Sequence, residues 1–590
     1  MLRILWEILE IDADTASPEE NFYDVGGTSL QAMRVCSRLQ QDLGVPAVPE
    51  QLFESETIAE FLSSLIPTSP EPTSTSTSAG GLIHEGVTRA ARLTPDAMAL
   101  VHGDQRISYA QLESGAEAYA KELRRLGIGP GTSVPVILRR SVRLVAVLLG
   151  VLKCGAAYAA LDPRWPAPRL EQLIRTLNPP VTVADTSALD AGAPVWMPDA
   201  SYLEETQGAA PAQGQEGFED TAVSSVFFTS GTTGTPKGVL STHRATMRLF
   251  SEPTFADFRP GRVMLQAAPV SWDAFSLELW GMLTTGGTSV ITTSDYLLPA
   301  ELRRLIETAG VDTVWLTSSL LNLFVDEDIR CFAGLRQVLT GGEKLSAPHV
   351  RRFVSAHPGI TLINGYGPVE SCVFATTHRV RPADCDEPHG IPIGRAVRGT
   401  RIHLLDGSDP VPAGEVGEIC LSGDGLARSY LGDARATAER FVSLPLDGVA
   451  TRLYRTGDFG TLDHEGILHF RGRADRQLKV SGHRIEPAEI EAATRAVPGV
   501  LSCAIAHETG PDGVSVARLA LFYTVDSQHP APPTPTALRR AIAGVLPRHM
   551  VPSQIELLDA LPLTTHGKLD RSALLPSLAD HHEQTAGSRK

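Results

Sequence analysis

No uninterrupted apolar stretch in this 590-residue chain reaches about 18 residues, so no membrane-spanning helix is predicted. Basic runs are absent as well. With 52 Lys and Arg against 68 Asp and Glu, the formal charge is −16, which argues against nucleic acid or an anionic membrane surface as the partner. Cysteine is scarce: the seven present, at positions such as Cys36, Cys154, Cys331 and Cys420, show no CxxC or other metal-ligand spacing, and reduced thiols in the cytoplasm are expected. Nor does the start read as a leader. Residues 1–14 (MLRILWEILEIDAD) are apolar at helical spacing but carry Glu7, Glu10 and Asp12 without a charged start or small-residue cleavage site, and they read as a structural helix.

Length alone exceeds what one core organises, so three or four folded units are expected from a chain with 42% apolar residues. At 67–81 (PTSPEPTSTSTSAGG) bulky apolar residues vanish; the segment cannot form a core and reads as a flexible linker spanning at most roughly 50 Å. Before it, helical patterns near 2–10, 29–43 and 57–65 predict a small all-α bundle over 1–66. After it, strand-like runs alternate with amphipathic helices: 134–138 then 141–153, 263–267 then a segment through Trp280, 313–316 then 320–324. That alternation predicts an α/β body with largely parallel sheets. From about Asp475 the chain turns to short strands and helices, including 487–495 and 536–546, and a smaller α+β domain is expected there, followed by a frayed polar tail at 577–590.

One loop carries chemistry of its own. After the apolar pair Phe227 and Phe228, the run Thr229-Ser230-Gly231-Thr232-Thr233-Gly234-Thr235-Pro236-Lys237-Gly238 combines glycines, hydroxyls and one lysine. Glycines let backbone N–H groups approach phosphate oxygens, hydroxyls add donors and Lys237 adds charge, as in an anion-binding loop. It is not a Walker P-loop, which needs four residues between its glycines and a Gly-Lys-Ser/Thr ending; here two residues separate Gly231 from Gly234. Taken alone, the run reads equally as an exposed turn.

Its company decides. ISYAQL (107–112), LKCGAAYAALDPRWP (152–166), the loop at 229–238, NGYGPVE (364–370), GEICLSGDGLARSYL (417–431), YRTGD (454–458), GRADRQLKVSGHRIEPAEIE (472–491) and LPLTTHGKLDR (561–571) occur in that order. The series resembles the adenylation domains of nonribosomal peptide synthetases, within the adenylate-forming enzymes, over about 86–576. The resemblance implies a large α/β adenylation subdomain at 82–474, made of parallel sheets with helices plus a β-barrel-like part, and an α+β subdomain at 475–576 that rotates about Asp475. It implies attack of a carboxylate on the α-phosphate of ATP, with release of pyrophosphate. Thr229, Ser230, Gly231, Thr232, Thr233, Gly234 and Lys237 would hold the leaving phosphates, and Glu370 would hold Mg²⁺. Tyr366 would stack on adenine, with Asn364 at its edge and Phe470 nearby; Asp458 and Arg473 would hold the ribose. Lys568 would stabilise charge in the transition state. Two positions depart from the usual pattern: Ser481 stands where arginine is common, and Val369 where threonine is.

Upstream, NFYDVGGTSL and LFESETIAEF resemble a peptidyl carrier domain, which makes Ser29 the attachment point of 4′-phosphopantetheine and requires a phosphopantetheinyl transferase. Positions matching the family's specificity lining are Asp273, Ala274, Leu277, Trp315, Leu339, Gly341, Gly365, Val373, Phe374 and Lys568. One acid and one lysine in an apolar setting imply an α-amino acid, with Asp273 on its ammonium and Lys568 on its carboxylate. Leu277, Leu339, Val373 and Phe374 offer a side chain no polar partner, while Gly341 and Gly365 are expected to leave space, so the set resembles valine-type pockets, with leucine, isoleucine, another small aliphatic residue or a modified one met by the Trp315 N–H as alternatives. Condensation or tailoring enzymes would act in trans, and a small MbtH-like protein is a candidate partner. An acyl-CoA or aryl-acid ligase of the same fold, and a non-enzymatic carrier scaffold, are the alternatives.

Overall fold

The structure, a computed structural model, describes residues 81–574 except 187–188, 190–191, 201–216, 232–233, 252–253, 447, 474–476, 481, 510–515, 527–528, 530, 563–568 and 571. Before these it describes 57–65 and Leu2, Leu5, Trp6, Ser17, Phe22, Val35, Leu39 and Ser55. The chain divides into two compact units, Met1–Ser78 and Ala79–Lys590. In the first, the helix Ile58–Leu65 is where the spacing placed it, and Ile58, Phe61 and Leu62 bury one face at i, i+3 and i+4. Leu5, Trp6, Val35 and Leu39 are also helical and buried. Ser29, most of the other two expected helices and nearly all of the 67–81 linker lie outside the described residues.

The second unit is built on two largely parallel sheets. In the larger, six parallel strands run Thr361–Tyr366, Gln337–Gly341, Thr313–Thr317, Val263–Gln266, Thr288–Ile291 and Met98–His102 in spatial order. Antiparallel strands flank them to make nine. The smaller sheet has six strands, in the order Val195–Trp196, Thr182–Ala184, Ser133–Ile137, Ala157–Ala160, Val223–Thr229 and Lys237–Thr242, the last pair antiparallel. One core draws on both sheets and on the helices between them. Helix Val142–Lys153 shows why: VRLVAVLLGVLK is apolar almost all round, and every residue but Arg143 is buried, as expected for a helix enclosed on all sides. Ser141 starts it by accepting the Leu144 N–H at 3.1 Å.

A third, antiparallel sheet of six strands holds residues 400–473. Its hydrogen-bonded path is open from Asp409–Pro410 to Phe441–Leu446, with Leu468–Arg473 branching off the fourteen-residue strand Val449–Leu462. It is therefore not closed as a barrel: the long strand spends its two halves on different neighbours. Beyond it, the hairpin Leu478–Val480/His483–Ile485, a three-stranded sheet and helices Pro487–Arg495 and Pro535–Ala543 share a separate core. The first of these helices matches the expected 487–495. The second begins at Pro535, one residue early, and stops at Ala543, before the expected 546. The six described cysteines are buried free thiols. Among the described residues no helix is long and apolar enough to cross a membrane, and no group of three metal-ligating side chains occurs.

Candidate active site

Parallel strands release their chain at their carboxyl ends, and ligands of α/β proteins collect there. A cavity of about 390 Å³ opens at this edge of the larger sheet. Thr229, Ser230, Trp272, Asp273, Ala274, Trp315, Asn364, Gly365, Tyr366, Val373, Phe374, Asp458, Phe470 and Arg473 all line it. Segments hundreds of residues apart in sequence thus converge as the motifs implied.

The hydroxyl-rich loop is the turn of a hairpin. Thr229 pairs with Lys237 at its base. The turn is tight: a Cβ on Gly231 would lie 1.8 Å from the Thr235 carbonyl oxygen, and Gly234 has φ +85°, both conditions that demand glycine. Lys237 sets its Nζ 5.4 Å from the centroid of the Tyr430 ring, a cation–π distance. Thr232 and Thr233 lie outside the described residues. The C-terminal part covers this loop: Ser230 Oγ donates to the Arg484 carbonyl at 2.8 Å, and helix Pro487–Arg495 brings Ala492 against Gly234. Glu489 of that helix forms a buried ion pair with Arg169 at 2.5 Å.

Glu370, expected to hold Mg²⁺, is buried and already engaged. Arg484 donates to both its oxygens, at 3.1 and 2.8 Å, and the Tyr430 hydroxyl donates to Oε1 at 2.7 Å. Burial pushes this carboxyl up, but the guanidinium and the hydroxyl prevail and hold it below the usual glutamate range. In this arrangement a guanidinium stands where the resemblance placed a cation. The pair expected to hold the ribose is assembled: Asp458 and Arg473 face each other across adjacent strands and are ion-paired, and the Tyr366 hydroxyl donates to Asp458 Oδ2 at 2.7 Å. Asn364 Nδ2 donates to the Pro392 carbonyl at 2.8 Å, which fixes its amide.

At the far side, Asp273 opens helix Asp273–Leu283 and accepts the Val373 N–H at 2.8 Å. Burial raises its carboxyl to about 6, against the opposing pull of the backbone N–H groups of Val373 and Ala274. Ala274, Trp315, Val373 and Phe374 surround it with apolar surface. Leu277 and Leu339 do not line the cavity; both are fully buried in the core beside it. The two glycines leave less room than expected. A Cβ on Gly365 would meet the Phe374 ring at 2.2 Å and one on Gly341 the Gly365 carbonyl at 2.2 Å, so neighbours already fill the space their missing side chains leave.

Lys568 and Asp475 lie outside the described residues. Sequence reasoning missed Arg484, Arg169, Glu489 and Tyr430. Arg484 and Glu489 sat inside the quoted run at 472–491, but nothing local to that run reveals contacts spanning 114 and 320 residues.

A glycine-tightened hydroxyl hairpin, closed by Lys237 and covered by the C-terminal part, suits a phosphate-bearing ligand. Residues 87–431 match the AMP-binding enzyme family, 489–568 the AMP-binding enzyme C-terminal domain and 1–65 a phosphopantetheine attachment site. The chain belongs to the AMP-binding enzyme family, as an adenylate-forming ligase of the nonribosomal peptide synthetase type. It is 34% identical over 513 residues, 86% of its length, to tyrocidine synthase 3 of Brevibacillus parabrevis, and 33% identical over 84% of its length to gramicidin S synthase 2 of Brevibacillus brevis. It spans only 8% and 11% of those two proteins. Among solved structures it resembles holo-PA1221, an NRPS protein containing adenylation and PCP domains bound to a vinylsulfonamide inhibitor. That likeness has a TM-score of 0.75 and 36% identity over 85% of each chain.

Proposed function

We propose that this ligase activates a small aliphatic α-amino acid as its aminoacyl-adenylate and loads it onto a phosphopantetheine thiol in nonribosomal peptide assembly. The observation that carries the amino-acid reading is Asp273, a partly buried carboxylate facing the cavity with no cation paired to it among the described residues. An α-ammonium supplies the charge that makes such a carboxylate tolerable. The apolar surroundings favour an aliphatic side chain, and valine is the first candidate. The Phe374 ring over Gly365 limits its size.

The phosphate-facing residues fit ATP: hydroxyls, a glycine-tightened turn and Lys237 form an anion site, and Glu370 would hold Mg²⁺, which would neutralise phosphate charge when bound. Asp458 and Arg473 would orient the ribose, with Tyr366 and Phe470 against the base. Asp273 and Lys568 would fix the two charged ends of the amino acid, so that its carboxylate faces the α-phosphate. Phosphopantetheine on Ser29 would supply the thiol that accepts the acyl group. Because Arg484 occupies Glu370 here, we assign this arrangement to the state after pyrophosphate has left. Asp475 would be the pivot between the subdomains 82–474 and 475–576, with 1–66 as the carrier and 67–81 as its tether. The phosphopantetheinyl transferase, downstream condensation or tailoring enzymes and an MbtH-like protein are proposed as partners in the cytoplasm.

Pyrophosphate exchange across free amino acids, fatty acids and aryl acids tests the reading, with intact mass of the holo protein and its Ser29→Ala variant as a second readout. Exchange with valine or a close aliphatic relative and a mass gain that needs Ser29 are expected. Exchange with acids lacking an amine would overturn it. A further expectation concerns the hairpin. Gly231→Ala forces a Cβ onto the Thr235 carbonyl, and kcat/KM for ATP in the same assay should fall about 100-fold, the scale of losing one anion-stabilising donor.

A further inference from the structure

Arg248 is buried to 1% exposure, and its contacts are unusual for a cation so deep. Among the described residues it hydrogen-bonds no carboxylate. Nε donates to Thr400 Oγ1 at 3.2 Å, and Nη1 to the Ala245 and Cys372 carbonyls at 2.9 and 3.5 Å. Nη2 donates to the carbonyls of Ser371 and Phe374 at 2.7 and 2.8 Å. All five guanidinium donors are therefore spent on neutral oxygens, three of them on one four-residue segment. Burial lowers this group to about 10, which leaves it charged at neutral pH. A buried charge with no carboxylate hydrogen-bonded to it among the described residues is costly, although Asp424 lies near enough to favour it, and what it grips explains its presence.

The gripped segment is strained. Cys372 and Val373 have φ of +52° and +61°, a region that β-branched residues rarely enter. In that conformation the Val373 N–H reaches Asp273 Oδ2 while Val373 and Phe374 line the cavity. The Thr246 hydroxyl lies 3.6 Å from Cys372 Sγ, so the short helix preceding Arg248 touches the same turn. The approach is close on the other side as well: a Cβ on Gly425 would meet the guanidinium at 2.4 Å.

We infer that Arg248 is a positioning residue for amino-acid recognition, which holds the strained 371–374 turn so that Asp273 and the side-chain wall stand where the amino acid binds. It acts through the backbone and does not touch the substrate. The inference rests on the amino-acid reading of the pocket. It predicts an effect on amino-acid KM that is separate from ATP.

The test is steady-state pyrophosphate exchange with Arg248→Lys, which keeps the charge but not the fork, and with the same change in a Cys372→Gly background. Glycine removes the strain at 372, so the clamp becomes less necessary. Arg248→Lys should raise the amino-acid KM about 20-fold, the scale of lost hydrogen bonds to a charged group, with the ATP KM within about threefold. In the Cys372→Gly background the same change should raise it less than about threefold. Equal penalties in both backgrounds, parallel rises in both KM values, or a lysine variant that fails to fold in both backgrounds would overturn the role. Folding of the lysine variant only in the Cys372→Gly background would support it. Wild-type protein that shows no amino-acid-dependent exchange would sink the reading of the pocket itself, an outcome distinct from these.

Discussion

Asp273→Asn should lower kcat/KM for the amino acid by about 30- to 5,000-fold, since truncating one partner of a buried hydrogen-bonded charge pair costs about 2–5 kcal/mol. The ATP KM should stay within about threefold, because Asp273's side-chain hydrogen bond among the described residues goes to the Val373 N–H and not to an ATP-side group. Asparagine still accepts the Val373 N–H, so the turn at 371–374 keeps its anchor and the loss reports charge alone. The pH profile carries the same information. With the carboxyl at about 6 in the ligand-free protein, kcat/KM for the amino acid should fall about tenfold per unit below that pH in the wild type, and the Asn variant should lack the limb. The sign for stability is opposite. Folding raises this carboxyl above its ordinary 3.8, so its favourable contribution is complete below that value and is lost as pH rises through about 6. At pH 7 the empty protein carries a penalty on the order of 3 kcal/mol, and the Asn variant should unfold at a higher temperature while being far less active. A variant that is both less active and less stable would contradict the assignment.

The second large effect concerns Arg484. Removing one partner of a buried ion pair costs about 3–5 kcal/mol. Glu370 cannot serve Arg484 and Mg²⁺ with the same oxygens, so this cost falls on the arrangement seen here and not on one in which the carboxylate holds metal. Arg484→Met should therefore slow acyl transfer to the holo carrier about 100-fold in single-turnover experiments, while exchange stays within about threefold of the wild type. Glu370→Gln should damage exchange first. Equal losses in both half-reactions for Arg484→Met would show the pair to be merely structural.

Much of the site was legible because its motifs are local. The hydroxyl run, the Asp458 and Arg473 motifs and Asp273 each carry enough neighbouring sequence to be placed, and all reach one cavity. Helix 487–495 was legible for a similar reason, with proline at its first position and an acidic residue in its first turn. What escaped was set by packing across the fold. Leu277 and Leu339 have the right chemistry for a pocket wall but lie in the core, and Phe374 takes the room over Gly365. Arg248 looks like an ordinary helix-end arginine in sequence, and only the carbonyls of a turn 123 to 126 residues away reveal its task. The third sheet was expected to be barrel-like, but the fourteen residues 449–462 form one strand that pairs with three others along an open path, a choice no local pattern dictates.

Arg484 reaches the phosphate side twice: its side chain grips Glu370, and its own carbonyl takes the Ser230 hydroxyl. A single residue of the cap thus sequesters the metal-side acid and a phosphate-side donor together. In the proposed cycle, withdrawal of the strands 478–480 and 483–485 would free both in one event and their return would quench both, so a half-armed site in which the donors are ready but the acid is not would have no stable place.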